Sequence, residues 1–87
     1  NSIAKEKILV RIARLRTGNF GDWNSVGGGV RELRLHYGAG YRLYFGIVGD
    51  NVVILLMGGD KSSQRRDIIR AKEYWRDYQT NKASTDL

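Results

Sequence analysis

A chain of 87 residues is long enough for one domain and too short for two. It has no cysteine and a single histidine, which excludes disulfides and thiolate metal sites. Its net charge of +6 is typical of a protein that binds a polyanion or an acidic partner, or of a surface that is kept soluble by charge alone.

The positive charges are concentrated in the first three-quarters of the chain. Residues 1–66 hold 11 basic and five acidic residues, whereas residues 67–87 hold four of each. The longest apolar run, residues 52–57, is too short to cross a bilayer. Because no signal-peptide pattern is present either, we expect a cytoplasmic protein that does not engage a membrane.

The first predicted element is a helix over residues 4–17. An apolar face recurs at helical spacing, and Gly18 supplies a stop signal. The residues of this face are Ala4, Ile8, Ile12 and Leu15. Residues 18–29 contain five glycines and no periodicity, so we expect a loop in which Trp23 covers the edge of the core.

Three strands are predicted after this loop. Residues 30–37 and 41–48 alternate between apolar and polar side chains, and the Gly-Ala-Gly sequence at 38–40 joins them as a hairpin. A second hairpin at 49–51 leads to residues 52–57. These residues are apolar on both faces, which predicts an interior strand.

A second helix is predicted to follow the sheet. The Gly-Gly-Asp sequence at 58–60 ends the third strand, and Asp60 or Ser62 caps a helix that runs to about Gln79. Its expected buried face consists of Ile68, Ala71, Trp75 and Tyr78. The whole is a single α+β domain over residues 1–79, a small antiparallel sheet flanked by helices, with a flexible tail at 80–87.

The first hairpin concentrates polar side chains on one face. With a turn at residues 38–40, His36 faces Arg42 and Arg34 faces Tyr44, all on the side away from the apolar residues. Arginine binds phosphate with its planar fork, and aromatic rings stack on unpaired bases. This face therefore predicts an RNA-binding surface. The alternative is an ordinary solvated sheet face.

The Gly-Gly-Asp-Lys-Ser-Ser-Gln sequence at residues 58–64 is a second candidate. Glycines before a helix expose backbone N–H groups, and Lys61 adds a positive charge, so the segment could hold an anion. A simple helix cap is an equally good interpretation.

The lone histidine limits the available chemistry. His36 is the residue whose ordinary pKa suits proton transfer near neutrality, although a lysine or tyrosine with a shifted pKa could replace it. The sequence has no second histidine, no cysteine and no usefully spaced carboxylate pair, so we expect neither a metal nor a cofactor.

Several motifs together resemble the addiction module killer branch of the RelE/HigB-type toxins. They are Glu-Leu-Arg at 32–34, Tyr-Gly-Ala-Gly-Tyr-Arg-Leu-Tyr-Phe at 37–45, the 58–64 segment, and Asp-Ile-Ile-Arg-Ala-Lys at 67–72. The resemblance extends from the first helix to about Trp75. It implies a RelE-like fold and the toxin of a toxin–antitoxin pair, an endoribonuclease that cuts messenger RNA without metal, often on a translating ribosome.

The resemblance also implies partners and site residues. The expected partner is a small helix-turn-helix DNA-binding antitoxin, and the complex represses its own operon. The family's catalytic cations match Arg34, Arg42 and Lys61, to which we add His36 for proton transfer. The candidate RNA-binding residues are Tyr44, Tyr37, Arg31, Gln64 and Arg65.

Two departures from the family pattern bear on these expectations. Some relatives use a tyrosine of the C-terminal helix for proton transfer, whereas the matching segment here reads Arg65-Arg66-Asp67. Relatives also open with a strand and a helix before the position of Asn1, so we expect a preceding segment. Two other functions remain open: a ParE-like toxin that poisons DNA gyrase, and a non-catalytic module that binds an antitoxin.

Overall fold

The computed structural model describes residues 2–50 and 52–85. The elements are α1 (Ser2–Leu15), β1 (Trp23–Gly27), β2 (Val30–Arg34), β3 (Arg42–Val48), β4 (Val52–Gly59), a 3-10 turn (Lys61–Ser63) and α2 (Gln64–Thr85). The four strands form one antiparallel sheet in the order β1-β2-β3-β4. The predicted α+β class is confirmed, with four strands instead of three.

One face of the sheet packs against α1. Leu33, Leu35, Leu43 and Phe45 form a core cluster with Leu15. The apolar face predicted for the first helix is confirmed, since Ala4 and Leu15 are buried and Ile8 and Ile12 pack against the cluster. Phe20 packs against this cluster, and its ring makes a tilted contact with the ring of Phe45.

The opposite face of the sheet packs against α2. Ala71 and Trp75 are buried there with Tyr44, and Ile68 and Tyr78 pack beside them, which confirms the predicted buried face of the second helix. The ring of Trp75 lies directly on the backbone of Gly46, so closely that a Cβ there would lie 2.6 Å from the ring atom Cη2. Helices therefore cover both faces of the sheet.

The edges of the sheet differ from the predicted ones. Trp23–Gly27 is an edge strand, not a loop; it was missed because its residues are mostly exposed and carry no apolar alternation. Trp23 is itself 38% exposed. The third predicted strand is not interior: β4 is the other edge, and it continues through Gly58 and Gly59 because both pair with β3.

The hairpin between β2 and β3 is wider than predicted. Arg34 pairs with Arg42 and Glu32 with Tyr44, a shift of two residues from the expected register. The strands separate after Leu35, whose N–H still bonds the carbonyl of Tyr41, so the turn is longer than residues 38–40. A two-residue shift keeps every side chain on its predicted face, because side chains alternate along a strand.

α2 extends beyond its predicted end at Gln79. It continues to Thr85, so helix occupies most of the segment for which the sequence predicts a flexible tail; residues 86–87 lie outside the described chain. Glycine and proline are absent from residues 80–85, so no residue there breaks the helical hydrogen bonding. Within the described residues, no helix has the length and hydropathy required to span a membrane.

Candidate functional site

A buried glutamate lies at the centre of the polar side chains beneath α2. Glu32 is 1% exposed. Its Oε2 atom accepts hydrogen bonds from Tyr44 Oη at 3.0 Å and from Gln64 Nε2 at 2.9 Å. Its Oε1 atom accepts one from Arg34 Nε at 3.2 Å. Strands β2 and β3 and the first residue of α2 thus meet at one carboxylate, whose charge must be compensated because it lies away from water.

Arg42 supplies a second positive charge to this carboxylate. Its Nε lies 3.6 Å from Glu32 Oε2, and its Nη1 donates a hydrogen bond to the carbonyl of Gly40 at 3.2 Å. The residue is 8% exposed, and its Nε has no hydrogen-bond partner among the described residues. The predicted solvent-side location of Arg42 is therefore wrong, because α2 covers this face of the sheet.

Tyr44 is also buried, with no exposed surface, so the prediction that it stacks on an RNA base is contradicted. Burial raises the pKa of the Tyr44 hydroxyl above its ordinary value, and the negative charge of Glu32 and the hydrogen bond to it act in the same direction. The hydroxyl remains protonated at neutral pH. It acts as a hydrogen-bond donor to Glu32 and not as a base.

The turn between β2 and β3 meets the loop before α2 beside these residues. The backbone N–H of Lys61 donates to the carbonyl of Ala39 at 3.3 Å. A Cβ at Gly40 would lie 3.2 Å from Lys61 Cβ and 3.7 Å from Arg42 Nη1. Lys61 and Arg42 therefore flank the same glycine. We refer to Arg34, Arg42 and Lys61 with Glu32 and Gln64 as the cation cluster.

Arg34 and Lys61 are the cations of the cluster that solvent reaches. The side chain of Arg34 is 41% exposed, and Lys61 is exposed. Arg42 is the buried member. Two arginines share the Glu32 carboxylate, and the exposed Arg34 and Lys61 present positive charge to solvent, where an anion can reach it.

The loop before α2 serves as a helix cap. The Asp60 carboxylate accepts hydrogen bonds from the backbone N–H of Ser62 at 2.8 Å and from its hydroxyl at 2.6 Å. The hydroxyl of Ser63 reaches back to Asp60, which completes a capping box. The hydrogen bonds that Ser62 donates hold the pKa of Asp60 below its ordinary value. The bond from the Ser62 hydroxyl has the largest effect, followed by the bond from its backbone N–H. The predicted capping role of Asp60 is therefore confirmed, and the exposed Lys61 side chain takes no part in the cap.

Several predicted site residues lie outside the cation cluster. Nε2 of His36 lies 2.7 Å from Asp22 Oδ2, and both side chains are mostly exposed. The residue lines a groove beside α1, where Lys7 also lies over the ring of Tyr37, with Nζ 5.0 Å from the centroid. In the described part of the chain, no hydrogen bond or ion pair joins His36 to the cluster. The predicted pairing of His36 with Arg42 is wrong, because the wider turn shifts the register.

The two other arginines predicted to bind RNA, Arg31 and Arg65, form no ion pair with the carboxylate of the cluster in the described part of the chain. The guanidinium carbon of Arg31 lies over the ring of Trp23, 4.6 Å from its centroid. Arg65 is exposed in the first turn of α2. The structure thus brings together Arg34, Arg42, Tyr44 and Gln64, with Lys61 beside them.

Glu32 is the site residue that sequence reasoning missed. The signal for it was its position on the same face of β2 as Arg34. In the sheet, Glu32 pairs with Tyr44, and Arg34 pairs with Arg42. An acid among cations on a strand face indicates an ion-pair network. In the described residues, no group of three or more histidine, cysteine, aspartate or glutamate side chains is placed to hold a metal ion.

One curated relative aligns with most of this chain. It is an uncharacterized protein of Haemophilus influenzae, 54% identical over 72 residues that cover 83% of this chain and 73% of the relative. No family model matches the sequence, and no solved structure matches it. At this identity and coverage, the chain belongs to the same family as the Haemophilus influenzae protein.

Proposed function

We propose that this member of the Haemophilus influenzae protein's family is a RelE/HigB-type toxin with a RelE-like fold, an endoribonuclease that cuts messenger RNA without metal or cofactor. In this proposal the protein acts in the cytoplasm, on free or ribosome-bound message. A helix-turn-helix antitoxin binds it and keeps it inactive. The sequence motifs quoted above suggest this function, and the cation cluster supports it.

The cation cluster is the observation that carries the proposal. The motif residues Arg34, Arg42 and Lys61 come from two strands and a loop. Arg34 and Arg42 pair with the Glu32 carboxylate, and Lys61 lies beside Arg42 across Gly40. Cations fixed in place before the substrate binds stabilise charge that develops on a phosphoryl group. A substrate with a phosphodiester backbone fits this arrangement.

The proposed reaction is attack of an RNA 2′-oxygen on the adjacent phosphorus. The O2′–P bond forms while the P–O5′ bond breaks, which leaves a 2′,3′-cyclic phosphate and a 5′-hydroxyl. A base takes the proton of the 2′-hydroxyl, and an acid gives one to the leaving 5′-oxygen. The exposed Arg34 and Lys61 contact the phosphoryl oxygens, and the buried Arg42 adds its charge from below.

The cluster also assigns a role to the remaining groups. Glu32 holds Arg34 and Arg42 in fixed positions, and Tyr44 and Gln64 hold Glu32. Such hydrogen-bonded support reduces the reorganisation that the cations undergo when substrate binds. Tyr44 thus contributes through Glu32 and does not contact RNA.

Cleavage of messenger RNA by the purified protein tests the proposal. The protein is incubated with free message in excess EDTA and, in parallel, with translating ribosomes in magnesium buffer. We expect cleavage in at least one reaction, with 5′-hydroxyl ends, and a loss of roughly a hundredfold in rate for Lys61→Ala. Intact message in both reactions, with folded protein, would refute the nuclease proposal.

A second candidate is favoured by the burial of Arg42. A cation that is 8% exposed and paired with Glu32 is a structural part of the fold, as expected of a module that only binds a partner protein. Under this alternative the protein binds its antitoxin with high affinity and cleaves no message. A gyrase-poisoning toxin would instead cause a DNA-cleavage complex to accumulate, so the three outcomes are distinct.

A further inference from the structure

The outer side of α2 carries a groove that no residue of the cation cluster lines. Its volume is about 630 Å³, and it begins at Ser62 and Ser63 and continues along the helix to Tyr74. It faces away from the sheet, because Ala71 and Trp75 on the other side of α2 form the core.

The groove exposes large apolar side chains that the fold leaves uncovered. Ile69 is 56% exposed and Tyr74 is 44% exposed. Neither side chain belongs to the core clusters on the two faces of the sheet. An exposed tyrosine on a rigid helix offers a flat surface on which an unpaired base can stack.

Positive charge dominates the lining of the groove. Arg65, Arg66 and Arg70 line it, and Glu73 is its acidic residue. All four are exposed. Arg66 makes a long contact of 4.0 Å with Asp67, and its side chain is 72% exposed, so its charge is available to another partner. Arginines beside an exposed aromatic ring are typical of surfaces that bind single-stranded nucleic acid.

The near end of the groove begins at the residue that follows Lys61 in the chain. Ser62 and Ser63 line its near end and follow directly on Lys61 in the chain, and Gln64 at the start of α2 reaches Glu32. From Arg66 to Tyr74 the helix rises by about 12 Å. That length corresponds to roughly three stacked nucleotides at ~3.4 Å each.

We propose that this groove binds the single-stranded RNA that flanks the cleavage site. Arg66 and Arg70 contact successive phosphates, and Tyr74 stacks on a base. The inference rests on the proposed nuclease function and adds to it a binding subsite, separate from the residues that stabilise the reacting phosphate. RNA is favoured over an acidic peptide because the groove begins next to Lys61, which the proposed function places at the scissile phosphate.

Binding of an uncleavable RNA tests the subsite. The probe is a short single-stranded RNA with 2′-O-methyl groups, in which the attacking hydroxyl is blocked, and fluorescence anisotropy measures its affinity at several salt concentrations. Each lost phosphate contact lowers the salt slope of log K by about 0.7, so the double variant Arg66→Ala, Arg70→Ala is expected to lower it by about 1.4. Tyr74→Ala should weaken binding about tenfold with an unchanged slope.

Arg76→Ala is the matched control. Arg76 is exposed on the same helix and does not line the groove, so this variant should bind the probe as the wild type does. In cleavage assays the groove variants should raise KM and leave kcat within about twofold, because they contact flanking nucleotides and not the reacting phosphate.

The outcomes separate this inference from the proposed function. Groove variants that bind the probe as well as Arg76→Ala does, or a wild-type protein that does not bind it, would overturn the inference. Groove variants that lose the antitoxin but keep the RNA would also overturn it and identify a protein-binding surface. A wild-type protein that binds the probe through the groove but leaves cleavable RNA intact would uphold the subsite and refute the nuclease.

Discussion

Glu32 and the four side chains around it decide the stability of the polar network under α2. A buried carboxylate is tolerated because two cations and two neutral donors compensate it. The two arginines differ in environment: 9% of the Arg42 side chain is exposed, against 41% for Arg34. Their contributions to stability should therefore differ, although both interact with the same carboxylate.

We expect Arg42→Ala to lower the free energy of unfolding by about 3 kcal/mol, because it leaves Glu32 buried without its most enclosed cation. Arg34→Ala should cost less than about 1 kcal/mol, since solvent screens that pair. Urea denaturation followed by tryptophan fluorescence measures both. Equal losses in the free energy of unfolding for the two variants would show that burial does not determine how much Arg42 contributes to stability. Arg34 and Lys61 are consequently the better residues for testing activity.

Tyr44 should make the protein sensitive to alkaline pH. Burial and the nearby Glu32 raise its pKa above the ordinary 10.0, so the folded state holds the proton more tightly than the unfolded state. The resulting stabilisation is complete below pH 10 and is lost progressively as the pH rises above that value. Tyr44→Phe removes the titrating hydroxyl and should remove this dependence.

The measurement is the free energy of unfolding of both proteins at several pH values. Above pH 10, stability should fall more steeply for the wild type than for Tyr44→Phe, by about 1.4 kcal/mol per pH unit, the effect of one proton. The comparison with Phe cancels the lysines and the other tyrosines. Parallel curves would mean that Tyr44 ionises as it does in the unfolded chain.

At the scale of elements, the contact between α2 and β3 depends on the absence of a side chain at Gly46. The ring of Trp75 occupies the space of a Cβ, so Gly46→Ala should move the helix and cost about 1–3 kcal/mol. Gly58→Ala is the matched control on the neighbouring strand. Its Cβ would meet Leu43 Cδ2 at 3.5 Å, an ordinary contact, and should change stability by less than about 0.5 kcal/mol. Thermal denaturation distinguishes the two, and a neutral Gly46→Ala would show that Trp75 can repack.

The two helices could be predicted from the sequence, because their apolar residues recur with a period close to 3.6. Ala4 and Leu15 in α1, and Ala71 and Trp75 in α2, are buried as that pattern requires. β1 could not be predicted. An edge strand with both faces mostly exposed needs no apolar alternation, and its pairing with β2 depends on backbone hydrogen bonds that any sequence can make.

The cation cluster was predicted only in part. The alternation of side chains shows which residues share a face of the sheet, but it does not show whether a helix covers that face. Alternation placed Arg34, Arg42 and Tyr44 on a common face, and they share it. A polar face normally indicates solvent, but here its members satisfy one another around Glu32, and α2 covers them. Local pattern cannot reveal this, because the covering helix begins only at Gln64, 20 residues after Tyr44.

At the scale of the whole molecule, the two apolar cores lie on opposite faces of the sheet, and the exposed cations lie at one of its ends. α1 and α2 bury opposite faces and form two apolar clusters. The cation cluster lies at one end of the sheet, where the turn after β2 contacts the loop before α2. Exposed residues at that end can therefore be changed without disturbing either core, which allows activity and folding to be tested separately in cells.

Expression of the intact gene in a bacterial host should arrest growth, and co-expression of its antitoxin should relieve the arrest. Lys61→Ala should restore colony formation, because loss of a cation that stabilises the transition state lowers the rate by roughly a hundredfold. Lys5→Ala, which removes another exposed lysine, in α1, should arrest growth as the wild type does. Immunoblots establish equal soluble amounts. Normal growth with soluble wild-type protein would contradict the toxin proposal, and arrest by Lys61→Ala would place the active cations elsewhere.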